Sequence, residues 1–146
     1  MSSMPAVRPS AMGPWQSATV LEVRAETPTA KTFRLELPAP RPRMAGQHYI
    51  VRLTAPDGYR AQRSYSVANG PEGDDIDLTV ELLPGGEVSG FLHEVVMAGD
   101  ELEVRGPIGG FFAWDGKRPV LAIGGGSGVV PLMSMLRHAR ALGRPE

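Results

Sequence analysis

The tetrapeptide Arg63-Ser64-Tyr65-Ser66 holds the side chains best suited to chemistry. It lies in a run of strand-forming residues, so side chains alternate between faces and Arg63 shares a face with Tyr65. An arginine and an aromatic side by side make a poor core. They make a good platform for a flat, anionic ligand. The ring packs on a planar group, and the guanidinium forks onto a phosphate. Ser64 and Ser66 point to the opposite face, and Ser66 ends the run with a hydroxyl for the ligand's edge. The plainer alternative is a half-buried strand with an exposed arginine. Taken alone, the tetrapeptide favours that alternative.

Three glycine-rich stretches follow. Pro84-Gly85-Gly86-Glu87-Val88-Ser89 precedes a helical spacing of Phe91, Leu92, Val95 and Val96 that ends at Gly99. Glycines let backbone approach a ligand closely, and a helix start offers free N–H groups at the positive end of its dipole. A plain turn capped by Ser89 is an equal alternative. Gly106-Pro107-Ile108-Gly109-Gly110 beside Phe111-Phe112 implies a tight passage against a ligand or a second domain. Gly124-Gly125-Gly126-Ser127-Gly128 follows the apolar run 120–123, which reads as a buried parallel strand. It precedes a helix over Val129–Ala141 with Val129, Leu132, Leu136 and Ala139 on one stripe and Pro131 in the first turn. Strand, glycine turn and helix together hold dinucleotide pyrophosphates in many folds. The match to G-x-G-x-x-G is partial, because Val129 takes the last glycine position. No P-loop lysine follows, and the final glycine of a nucleophile elbow is absent.

The elements that must position these stretches are strands. Phe33, Leu35 and Leu37 alternate with Arg34 and Glu36; Tyr49, Val51 and Leu53 alternate with His48, Ile50 and Arg52; Ile76, Leu78, Val80 and Leu82 alternate with Asp77, Thr79 and Glu81. With strands also over 15–24, 61–67 and 101–105, and turn residues between them, the pattern predicts a small antiparallel barrel.

Composition sets the class. The 146 residues are 42% hydrophobic and 21% charged, as in a soluble domain with a core of its own. A net charge of -1 gives no reason to expect nucleic-acid binding. The absence of cysteine excludes disulfides, thiolate metal sites and a cysteine-held iron–sulfur cluster within this sequence. No apolar run is long enough to span a bilayer, and a cytoplasmic location is the expectation. Residues 1–14 read as a disordered tail. His48, His93 and His138 lack ligand spacing, so no metal site is expected. Trp114 and Phe111-Phe112 read as core or interdomain packing. Arg34, Arg41, Arg43 and Arg60 read as a solvated face rather than a dock for an acidic partner.

In this order, Arg63-Ser64-Tyr65-Ser66, Gly86-x-x-Ser89, Gly106-Pro107-x-Gly109 and Gly124-Gly125-Gly126-x-Gly128-x-x-Pro131 resemble the ferredoxin–NADP reductase superfamily. The resemblance runs from about residue 15 to the C-terminus. It implies a mainly β fold: a six-stranded antiparallel Greek-key barrel with a capping helix over 15–116, binding FAD. A partial α/β Rossmann-like NAD(P)-binding unit would follow over 117–146. By resemblance, Arg63 contacts the flavin phosphates, with Ser64 beside it. Tyr65 packs on the isoalloxazine or its ribityl chain, and Ser66 sits near N5, the atom that receives hydride; these two are the implied catalytic positions. Gly86, Val88 and Ser89 would face the pyrophosphate. Gly106, Pro107 and Gly109 would line the route between flavin and nicotinamide. Gly124, Gly125, Gly126 and Gly128 would form the NAD(P) turn.

The implied function is an oxidoreductase module moving electrons between NAD(P)H, FAD and a one-electron acceptor, such as a ferredoxin or an oxygenase component. The glycine turn at Gly85-Gly86 leans toward FAD over FMN. Further βα units of the family's nucleotide domain do not follow in this sequence. A flavin-binding module without nicotinamide turnover is therefore the alternative. A barrel for oligosaccharide or single strands lacks the expected basic and aromatic groove. The run 120–123 and the last helix stripe are expected to fold back on the barrel, to pair with a second copy in a homo-oligomer, or to be poorly ordered.

Overall fold

The computed structural model describes residues 12–110 and 112–144. Six strands form one antiparallel sheet: β1 (Gln16–Thr27), β2 (Ala30–Glu36), β3 (His48–Thr54), β4 (Arg60–Ser66), β5 (Ile76–Glu81) and β6 (Glu101–Ile108). Their order across the sheet is β4-β3-β6-β1-β2-β5. The sheet curls until its two ends meet at a single bridge, Val67 with Leu78, and at the bond from the Ala68 N–H to the Asp77 carbonyl (2.7 Å). Elsewhere β4 and β5 stay apart, and a slot remains between them. The expected mainly β, antiparallel architecture is the one observed.

Alternation fills the barrel as the sequence predicts. Phe33, Leu35, Tyr49, Val51, Ile76, Leu78, Val80 and Val104 are all buried in one core. Burying each such side chain contributes roughly 1.5–3 kcal/mol. β1 departs from strict alternation. Val20 pairs with Leu35 and Val23 with Phe33, and the register shifts between Val20 and Glu22. Leu21 is the extra residue of this bulge and faces water, while Val23 returns to the core side.

Helix α1 (Glu87–Glu94) plugs the barrel with Val88, Leu92 and, just beyond it, Val96. The buried stripe differs from the expected one, since Phe91 and Val95 are exposed. The helix begins one turn earlier than its apolar spacing suggests, and this turns the inward face. The N-cap is Gly86, with no side-chain cap. Ser89 is not the cap; its hydroxyl accepts the Leu83 N–H at 3.1 Å.

The C-terminal region corrects two expectations. Residues 120–123 form no strand, and Leu121 and Ile123 are each 86% exposed. A parallel strand needs a laddered neighbour, and none of the described strands runs beside this segment. Helix α2 (Val129–Ala141), preceded by the short turn Gly126–Gly128, packs on the barrel through Val130, Leu132, Ser134, Met135 and Ala139. Val129 and Leu136, two members of the predicted stripe, are exposed. The buried face follows what the barrel offers: Ala45 and Trp114 meet Leu132 and Met135 in a second, small cluster. Three polar groups fasten the helix. Ser134 Oγ donates to the Asn69 carbonyl (2.7 Å), Arg137 donates to the Ala68 carbonyl, and the His138 ring pairs with Glu72.

At the other end, residues 12–14, read as part of the tail, are among the described residues. Residues 1–11 lie outside the described residues, as does Phe111, but Gly13 is buried and its carbonyl accepts Arg105 Nε at 2.8 Å. Trp15 lies under the Arg52 guanidinium, 3.9 Å from ring centroid to charge. Trp114 is packing, as expected, whereas Phe112 is 58% exposed.

Two of the four arginines read as a solvated face are engaged by partners within the chain, Arg34 with its side chain still 41% exposed. Arg34 forks onto Asp77 with bonds of 2.8 and 2.9 Å, and this pairing holds the guanidinium well above its ordinary value. Arg43 donates to the Gly70, Gly73 and Asp75 carbonyls, and burial pulls its guanidinium down.

Candidate functional site

The slot between β4 and β5 has a volume of about 260 Å³. β4 forms one wall. Arg63 lies opposite Val51 and Tyr65 opposite Tyr49, so both belong to the core-facing side, as their alternation predicts. Tyr65 leans partly into the core, while Arg63 stays exposed. Ser64 and Ser66 lie opposite Ile50 and His48 on the other side. All four line the slot because it wraps the free edge of the strand. The Val67 N–H bonds the Gln47 carbonyl at 3.0 Å, which sets the alternation of the ladder. The backbone groups of Ser64 and Ser66 therefore point away from β3, toward the slot.

The facing wall is the start of α1. Gly86, Val88 and Ser89 line it. Gly85 has φ +71°, a conformation that favours glycine. A side chain at Gly86 would press on Ser89 Oγ at 2.5 Å and the Leu83 carbonyl at 3.1 Å. The first N–H groups of a helix have no intrahelical acceptors, and no side chain caps these. Ser89 Oγ accepts one bond and keeps its own proton to donate.

Charge suits an anion. Among the described residues Arg63 forms no ion pair; its one bond runs from Nη1 to the neighbouring Gln62 carbonyl at 2.7 Å. Burial pushes the Tyr65 phenol up, and the Arg63 charge opposes this only in part. Glu81 is the one carboxylate in the lining. An unspent guanidinium, an aromatic ring, strand-edge amides and an uncapped helix start are the groups that a phosphorylated flat ring needs. The residues present fit such a ligand.

Seven predicted site residues meet here: Arg63, Ser64, Tyr65, Ser66, Gly86, Val88 and Ser89. The others lie elsewhere. Gly106 is buried against Tyr49, whose ring atoms would stand 2.8 Å from a side chain there. Pro107 follows it at the end of β6, half-buried. Gly109, at φ +109°, sits beside His48, whose ring burial pulls down. Gly126 lines an adjoining cavity of about 490 Å³ between the β1–β2 hairpin and α2, whereas Gly124, Gly125 and Gly128 line neither space. The two spaces share Thr79, Glu81, Ser127 and Val130. The sequence reading did not single out these four. Thr79 and Glu81 were legible only as the outward residues of β5, and Ser127 only as the hydroxyl inside the glycine turn.

Residues 17–113 match the model of the oxidoreductase FAD-binding domain family. The chain belongs to this family. FAD is accordingly its cofactor, and the fold is that of ferredoxin–NADP reductases. The reductase component of phenol 2-monooxygenase from Pseudomonas sp. strain CF600 is 38% identical over 112 residues, covering 75% of this chain and 31% of the relative. An Amycolatopsis cytochrome P450 reductase superposes with a TM-score of 0.74 at 33% identity, over 91% of this chain and 40% of that one. The FAD/NAD-binding domain of a Vibrio cholerae nitric oxide dioxygenase superposes with a TM-score of 0.81 at 26% identity, over 88% of this chain and 58% of that one. The chain spans about a third of the length of the curated relatives it matches. Among the described residues no His, Asp and Glu cluster could hold a metal, and no helix is long and apolar enough to cross a membrane.

Proposed function

We propose that this chain is the flavin-holding part of a reductase module. The module would move electrons between NAD(P)H, FAD and a one-electron acceptor such as an oxygenase component. The observation that carries the reading is the slot itself, where an unpaired Arg63 and the Tyr65 ring face an uncapped helix start. In this reading Arg63 and the backbone at Gly86, Val88 and Ser89 hold the phosphates. Tyr65 supports the ring system, Ser64 and Ser66 offer edge amides and hydroxyls, and Ser66 lies at the reactive edge. Bound flavin accepts a hydride and releases electrons singly; the protein supplies position and electrostatics. Gly106, Pro107 and Gly109 would line the route between flavin and nicotinamide, and the turn from Gly124 to Gly128 would meet the nicotinamide nucleotide. A barrel unit over 15–116 and a nucleotide unit from 117 are the matching domain division, and the cytoplasm is the matching location.

A second reading has its own support. With residues 120–123 outside any sheet, this chain by itself would hold flavin without an ordered nicotinamide site. One experiment separates the two. The purified chain is loaded with FAD, and bleaching of the flavin band is followed anaerobically with NADH and with NADPH. Bleaching supports the reductase, retained colour without bleaching supports the holding module, and a chain that takes up no FAD defeats both.

A further inference from the structure

Two unpaired charges line the slot, the Arg63 guanidinium and the Glu81 carboxylate. They do not meet: among the described residues neither forms an ion pair. Other carboxylates nearby are engaged. Glu26 holds Arg24 at 2.9 Å, Asp77 holds Arg34 at 2.8 Å, and Glu87 accepts the Tyr59 hydroxyl at 3.1 Å. Glu81 stands exposed at the end of β5, and its charge acts on whatever occupies the slot.

The pairing of the strands fixes where along the slot it acts. Antiparallel strands counted back from the bridge between Val67 and Leu78 bring Thr79 level with Ser66, and Glu81 level with Ser64. Val80, between them, belongs to the core, so Thr79 and Glu81 share the outer face of β5. Both also line the cavity beside α2, whereas Arg63, Gly86 and Ser89 line the slot alone. The anion therefore lies on the cavity side of the slot, away from the groups that fit phosphate. The arginines of that cavity are turned to other acceptors. Arg24 bonds Glu26, and Arg137 bonds the Ala68 carbonyl.

We propose that Glu81 lowers the reduction potential of the bound flavin. The inference rests on the flavin reading above and adds to it the residue that biases the ring toward giving electrons up. Hydride transfer from NAD(P)H brings two electrons and one proton. The ring gains one negative charge, and the nicotinamide that is oxidised gains one positive charge. A carboxylate facing the ring opposes the new negative charge through space. The phosphates carry the same charge before and after the transfer. Glu81 repels them equally in both states, and that repulsion cancels in the potential. Water and salt around an exposed carboxylate screen most of the remaining effect, so the shift is modest.

The test is an anaerobic redox titration of the whole chain loaded with FAD, followed by flavin absorbance against a reference dye. Glu81→Gln should raise the reduced-to-oxidised ratio at a fixed potential about three- to tenfold, or about 15–30 mV for two electrons. Glu81→Lys should move it further in the same direction. Glu26→Gln removes the same charge from the adjoining cavity and should leave the potential in place. Circular dichroism should be unchanged in all three, because Glu26 and Glu81 both lie outside the core. A potential that stays in place in both Glu81 variants, or that shifts as much with Glu26→Gln, overturns the assignment while leaving the slot intact. If the unaltered chain takes up no FAD, the underlying reading of the slot fails as well.

Discussion

The slot wall on β4 and the glycine turn before α2 both read as phosphate sites, yet they are carried by different kinds of element. The β4 motif sits in a ladder with β3, and its register fixes where each side chain points. The turn from Gly124 to Gly128 follows a segment with no ladder, and its neighbour α2 takes its position from a small patch at Ala45 and Trp114 and from three polar contacts to residues 68–72. A motif is as definite as the element that carries it. The barrel core and the α2 cluster are separate, so the two regions should respond separately when broken.

The largest effect comes from the barrel. Phe33→Ala should cost about 3–5 kcal/mol and lower the urea midpoint of the whole chain, because Phe33 is fully buried where β1, β2 and β5 meet. Arg63→Ala should leave that midpoint in place and weaken FAD binding about ten- to hundredfold, the worth of a charge-assisted bond, as measured by flavin fluorescence. A shift in midpoint instead would make Arg63 a structural residue. Met135→Ala should cost at most about 2 kcal/mol, at the low end for a buried methionine. Its effect should be confined to amide exchange in α2; matching loss of protection in the barrel strands would merge the two regions into one cooperative unit.

The smallest effect is a pH dependence. Burial raises the Glu72 carboxyl, but its bonds, above all to the His138 ring, leave it below its ordinary value of 4.5. A carboxyl depressed in the folded state stabilises above its unfolded pKa and stops doing so as pH falls through the folded one. Amide protection in α2 should therefore decline below about pH 4.5. Glu72→Gln should flatten that decline, and an unchanged profile in this variant would remove Glu72 from the clasp.

The barrel was legible because inward residues repeat every second position in β2, β3 and β5. The bulge was not: Leu21 reads as one more apolar residue of β1, and only pairing with β2 shows that it is the extra one. The inward face of α1 was misread because the helix starts at Glu87, inside the glycine-rich stretch that resembled a loop. Arg34 and Arg43 looked solvated because their partners, Asp77 and the carbonyls of 70–75, lie distant in sequence. Of the slot, the β4 and α1 walls were legible from local motifs. Thr79, Glu81 and Val130 were not, since they enter only through the closing of the sheet and the docking of α2.

The open rim of β4 has one more outcome. The unpaired edge of a strand presents a row of hydrogen-bonding groups that any extended polypeptide can copy, and proteins guard such rows with charge or cover them. Here Arg60 and Arg63 supply some charge, but the amides at Ser64 and Ser66 are left open to the slot. A tightly held cofactor lying there would act as a lid against self-association, so keeping this protein dispersed in storage becomes a matter of keeping it yellow.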